Sequence, residues 1–180
     1  VTDADGLATG SFASTGAGLK ELSATLDGQA LVARDTIIVD AAGVSTSLSS
    51  IVATPDSISA DGAASTITVT ARDAFGNVVA GASVVLAATG TGNTLTQPAA
   101  VTDANGVATG SLTSTAVGSK VVTATVADAA LVPTDTVVVV PGAISAATST
   151  VAAAPAIIAA DGGASTVTVT ARDANGNLIP

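Results

Sequence analysis

The chain has 180 residues, 48% of them apolar and only 11% charged, so it can bury a core, and the disordered class, with its high charge and low apolar content, is excluded. It contains no His, Cys, Trp, Tyr or Met and a single Glu, Glu21, so most side chains that act as nucleophiles, proton shuttles or soft metal ligands are missing; the composition speaks against an enzyme, and no Ser-His-Asp arrangement can exist. A net charge of −9, with Lys20, Arg34, Arg72, Lys120 and Arg172 widely spread, excludes nucleic acid as a partner, because a polyanion is bound by clustered cations.

The first 42 residues read as strands separated by turn strings, beginning with Val1-Thr-Asp-Ala-Asp-Gly6. Weakly patterned stretches at 40–50 and 140–150 read as linkers. Between them the expected strands are 47–54, 65–73, 83–88, 94–101, 106–113, 120–127 and 134–140. The clearest is 65–73, where Ile67, Val69 and Ala71 alternate with Thr66, Thr68, Thr70 and Arg72. Alternation of period two is the mark of a half-buried strand, so the Thr set is predicted to face solvent and the apolar set the core. Val, Ile and Thr dominate, their β-branching suits a pleated surface, and good helix-surface formers are scarce, so no helix is predicted. Asp73-Ala-Phe-Gly-Asn77, Asp103-Ala-Asn-Gly106 and Ala116-Val-Gly-Ser119 carry the residues that tolerate positive φ in tight turns. The apolar run Val151–Ala160 is about half the ~20 residues a spanning helix needs and contains Pro155, so no membrane insertion is expected in this segment. Without cysteines there are no disulfide staples. The start at Val rather than Met suggests a processed product or an internal piece of a longer chain.

Compared with itself at an offset of about 100 residues, the chain is identical at about half of the aligned positions, which is the mark of duplication. A unit of ~100 residues is the size of one β-sandwich. The phase places a complete unit at 43–142, the back part of a unit at 1–42, with its last three strands, and the front part of another at 143–180. The two partial units together lack the counterpart of 81–100, expected to be one central strand and a loop.

The string from Ala60 through Asp61-Gly-Ala-Ala-Ser-Thr-Ile-Thr-Val-Thr-Ala-Arg-Asp73 to Asn77, then Val79-Ala-Gly-Ala82 and Thr102-Asp-Ala-Asn-Gly-Val-Ala-Thr-Gly110, resembles the bacterial immunoglobulin-like domains, group one, of invasin- and intimin-type adhesins. The resemblance implies an all-β, immunoglobulin-like β-sandwich in tandem repeats without a disulfide. It also implies an extracellular or bacterial cell-surface location, a stalk or fibre role, and neighbouring repeats as partners, with no catalytic residues. The adhesive tip of such proteins is a lectin-like domain, whose cysteines and aromatics are lacking here.

Two other functions compete with the stalk. One is a filament subunit in which the C-terminal part of one copy completes the N-terminal part of the next, head to tail. The other is a calcium-rigidified or ligand-binding module. Asp3, Asp5, Asp61, Asp73, Asp103, Asp161 and Asp173 all sit in turn-like strings. The calcium candidates are Asp103 and Asn105 with the neighbouring unit's Asp61-type corner; against them, a calcium site takes about six to eight oxygens, and an Asp in a turn is already explained by bonds to its own backbone. No cofactor is otherwise expected. Arg72 and Arg172 are read as surface ion pairs with Asp73 and Asp173 or as snorkelling stems, and Phe75, whose copy is Asn175, as an incidental exposed aromatic at a hairpin tip, with contact to a neighbouring domain as the alternative.

Overall fold

The computed structural model describes residues 2–180, and every regular element among them is a strand. The N-terminal segment holds β1 (Gly18–Leu22), β2 (Thr25–Leu26), β3 (Gln29–Ala30) and β4 (Asp35–Val39), with β1 antiparallel to β4 and β2 antiparallel to β3. The central sandwich comprises β5 (Ser50–Thr54), β6 (Ser57–Ser59), β7 (Ser65–Thr70), β8 (Val84–Ala88), β9 (Asn93–Thr96), β10 (Val107–Ser114), β11 (Gly118–Val126), β12 (Ala129–Ala130) and β13 (Asp135–Val140). The C-terminal segment is the antiparallel pair β14 (Thr150–Ala154) and β15 (Thr166–Thr170).

One sheet of the sandwich runs β5-β7-β10-β9 and is antiparallel throughout. The other runs β6-β13-β11-β8, with β12 folded back on β11 as a short hairpin; its β6–β13 pair is parallel. Between the sheets lie Ile67, Val69, Leu112, Val122, Val126 and Val137, all fully enclosed. Each contributes about 1.5–3 kcal/mol by leaving water, and with no Trp or Tyr this aliphatic layer carries the stability.

The predicted register of 65–73 holds: Ile67, Val69 and Ala71 are buried, Thr66 is exposed, and Thr68 and Thr70 are half-covered because β7 lies between β5 and β10. Four expectations differ. The strand stops at Thr70, since Ala71–Asp73 turn into a loop. The 94–101 strand ends at Thr96, and Pro98, lacking an N–H, cannot extend the ladder. The short β6 and β12 give too few residues for a periodic signal. The stretch 40–50 is no free linker: Ser45 N–H donates to Arg72 O at 2.7 Å, and buried Ser49 accepts from Arg72 N–H at 3.0 Å.

The strands whose counterparts are missing from the partial units are β8 and β9, and each is the outer strand of its sheet. This corrects the expectation of a missing central strand. On the same side, Gln97 caps the open edge of β8: its Oε1 accepts Leu86 N–H at 2.7 Å, and its Nε2 donates to Leu86 O at 2.8 Å. Positions enclosed in the sandwich are open in the flanks. Val167, counterpart of Ile67, is 63% exposed, and Phe12, counterpart of Leu112, is 45% exposed.

Candidate functional site

The turn that follows β7 is built on one carboxylate. Asp73 Oδ1 accepts the N–H groups of Phe75 and Asn77, both at 2.9 Å, and Gly76 takes φ +84° to close the loop. Arg72 completes it by donating Nη1–H to Gly76 O at 2.7 Å. The guanidinium therefore holds a turn carbonyl and is not paired with Asp73. Arg172 does the same to Gly176 O at 2.6 Å, and the ion pair present among the described residues is the exposed Arg34–Glu21 contact at 2.6 Å.

Asp73 also reaches outside its own turn. It is fully buried, and Oδ2 accepts Ala42 N–H at 2.9 Å and Asn77 Nδ2–H at 2.8 Å. Asn77 in turn donates Nδ2–H to Thr15 O at 2.8 Å and accepts Ala17 N–H through Oδ1 at 2.9 Å. A carboxylate and an amide thus tie the turn, the stretch entering the sandwich, and the loop before β1 into one joint.

The same joint recurs one repeat later. Asp173 Oδ1 accepts Asn175 N–H at 3.0 Å and Asn177 N–H at 2.8 Å, while Oδ2 accepts Gly142 N–H at 3.0 Å and Asn177 Nδ2–H at 2.8 Å. Asn177 donates to Thr115 O at 2.9 Å and accepts Val117 N–H at 3.5 Å. Burial pushes the carboxyl pKa of Asp73 up, but the Asn77 amide and the N–H groups of Ala42, Asn77 and Phe75 outweigh it and leave the value at about 2. At Asp173, too, burial opposes the shift, and Asn177, Gly142 and Asn175 together lower it.

The calcium candidates are engaged in bonds of their own turns. Asp103 Oδ1 is taken up by the N–H groups of Val107 at 2.9 Å and Asn105 at 2.8 Å, and these bonds lower its pKa. Asn105 Nδ2 points back to Asp103 at 3.5 Å. Asp61 accepts the hydroxyl of Ser59. Among the described residues no three acidic side chains gather. Sequence reasoning missed the joint residues Asn77 and Asn177; the available signal was that Asp-Ala-x-Gly-Asn recurs at both positions while its middle residue changes from Phe75 to Asn175.

Solved structures share this architecture. The Escherichia coli adhesin FdeC superposes with a TM-score of 0.67 at 27% identity over 89% of this chain and 52% of its own. Invasin, a bacterial integrin-binding protein, gives 0.65 at 31% identity over 99% of this chain and 36% of its own. InvD of Yersinia pseudotuberculosis gives 0.69 at 23% identity over 93% of this chain and 53% of its own, which speaks to fold alone. The chain thus spans about half the length of FdeC and InvD as solved, and about a third of invasin. No curated protein matches it. The model of the bacterial Ig-like domain (group 1) matches residues 48–140, and the chain belongs to that family.

Proposed function

We propose that this chain is a stalk module of a bacterial surface adhesin, exposed outside the cell, whose repeats are held at set angles so that a binding tip stands away from the surface. The observation that carries the reading is the doubled joint: Asp73 with Asn77 and Asp173 with Asn177 grip the preceding unit through equivalent backbone atoms. Hydrogen bonds at both the entering stretch and a neighbouring loop restrain two directions of bending, as a spacer requires. The likeness to FdeC and invasin supports the adhesin setting. The reading assigns the chain no reaction, in keeping with a sequence that has no His and no Cys.

Residual dipolar couplings test it. The sandwich and its flanking segments are expected to share one alignment tensor, and Asn77→Ala with Asn177→Ala to separate them. Independent tensors in the unaltered chain would remove the stalk reading.

A second reading, completion by a second copy, is favoured by one observation: β8 and β9 are edge strands, so a unit assembled from 143–180 of one copy and 1–42 of the next keeps every inner strand pair. The register of Thr68 against Thr109 predicts Thr168 of one copy opposite Thr9 of another. Oxidative cross-linking of a Thr9→Cys, Thr168→Cys double variant would then yield ladders; monomers at all concentrations would exclude it.

A further inference from the structure

The two joints agree at two contact points and differ at a third. At the second joint Asn175 donates Nδ2–H to Ala60 O at 2.6 Å, binding the corner after β6 of the preceding unit. Beside it, a Cβ added to Gly142 would lie 3.1 Å from Asp61 Cβ, so the stretch leading into the next unit passes close under that corner. At the first joint the corresponding residues are Phe75 and Ala42. Ala42 carries the methyl that Gly142 lacks, which holds such a corner a few tenths of an ångström further off, and a phenyl ring cannot donate the hydrogen bond. Phe75 is 62% exposed, and the counterpart of the Ala60 corner is not among residues 1–42.

Resting on the stalk reading, we infer that the exposed ring of Phe75 is the apolar third contact of the first joint, a docking surface for the Ser-Ala-Asp-Gly type corner of a preceding immunoglobulin-like unit. The occupant follows from continuity with the joint. Asp73 and Asn77 already grip the unit to which residues 1–42 belong, and the second joint shows where that unit's corner lies relative to the turn. A ring in that place covers the apolar faces of small corner residues. Alternation of Phe and Asn at this position makes consecutive joints chemically distinct, one sealed by apolar contact and one by a hydrogen bond.

The test extends the full chain at its N-terminus with a copy of residues 43–100 whose own copy of Phe75 is replaced by Leu, so that a corner identical to 59–62 precedes Val1 in the native spacing and Phe12 and Phe75 remain the two phenylalanines. Fluorine NMR of 4-fluorophenylalanine, assigned with Phe12→Leu, reads the solvent-isotope shift of residue 75. The shift is expected to fall by at least half on extension, and Phe75→Ala to lower Tm in the extended chain while leaving that of the original unchanged. In the original chain, Asn175→Phe places a ring against the Ala60 corner already present and is expected to give a signal more shielded than that of Phe75. Rings at 75 and 175 that stay as solvent-exposed as Phe75 in the original chain, with all units sharing one alignment tensor, would overturn this inference and leave the stalk reading intact. Independent tensors would instead overturn the stalk reading on which it rests.

Discussion

Asn77 Nδ2 lies 2.8 Å from Asp73 Oδ2 and also 2.8 Å from Thr15 O, so one amide group is shared between the turn that presents it and the segment that precedes the sandwich. The turn's own stability and the hold on the neighbouring unit are therefore coupled through a single side chain. Asn177 repeats the arrangement with Asp173 Oδ2 and Thr115 O, at 2.8 and 2.9 Å.

Removing that amide takes away both roles, its bond to Asp73 Oδ2 included. Asn77→Ala is expected to free the loop around Thr15 and Ala17, losing two neutral bonds of about 0.5–1.5 kcal/mol each. Hydrogen exchange should rise at Ala17 and stay unchanged in β11, and Asn177→Ala should act on Val117 alone in the same manner. Exchange rising throughout the sandwich would mean that the amide supports the core and not the joint.

The joint has a pH limit. The Asp73 pKa is lowered to about 2 in the folded chain, against about 3.9 when unfolded, so its ionised form stabilises the fold fully above about pH 4, and that contribution is lost as pH falls through about 2. Asp103 and Asp173 are shifted in the same direction. Thermal melts between pH 5 and 2 (roughly the window these values span) should show Tm falling toward the acid end, with a shallower fall in Asp73→Asn. An equal slope in the variant would show that Asp73 does not contribute.

Two equivalent glycines should respond differently to the same substitution. A Cβ on Gly110 would meet Thr96 O at 2.5 Å and Leu86 Cδ1 at 2.6 Å, whereas Gly10 has nothing within 4 Å. Gly110→Ala is expected to cost about 1–3 kcal/mol by overpacking, and Gly10→Ala to be close to neutral, in denaturant titrations.

The β11–β12 turn carries strain that its counterpart avoids. Ala127 and Asp128 adopt φ of 47° and 64°, while the earlier turn uses Asp27 and Gly28 at 47° and 81°. A left-handed conformation costs an ordinary residue about 1–2 kcal/mol, so Ala127→Asn with Asp128→Gly should raise stability by about that much. An unchanged or lower Tm would contradict the assignment.

The period of the side chains settled the strands locally. Ile67, Val69 and Ala71 could only face one way once the chain was extended, because successive side chains point to opposite faces, and the turn strings at Asp73 and Asp103 were readable because Gly76 and Gly106 supply positive φ there. The repeat likewise set the expected phase, with a unit at 43–142 between parts of two others. What only the tertiary structure decided was the use of groups whose partners are distant in sequence. A carboxylate in a turn looks the same whether it is solvated or buried, and Asp73 became the centre of a joint because packing brought Ala42 N–H to its free oxygen. Arg72, beside an aspartate in sequence, points to Gly76 O because Asp73 is already enclosed by other donors. The strands β8 and β9 lie at the sheet edges for the same reason: pairing order is set by which apolar faces can close over one another across the whole chain, and no local pattern encodes it.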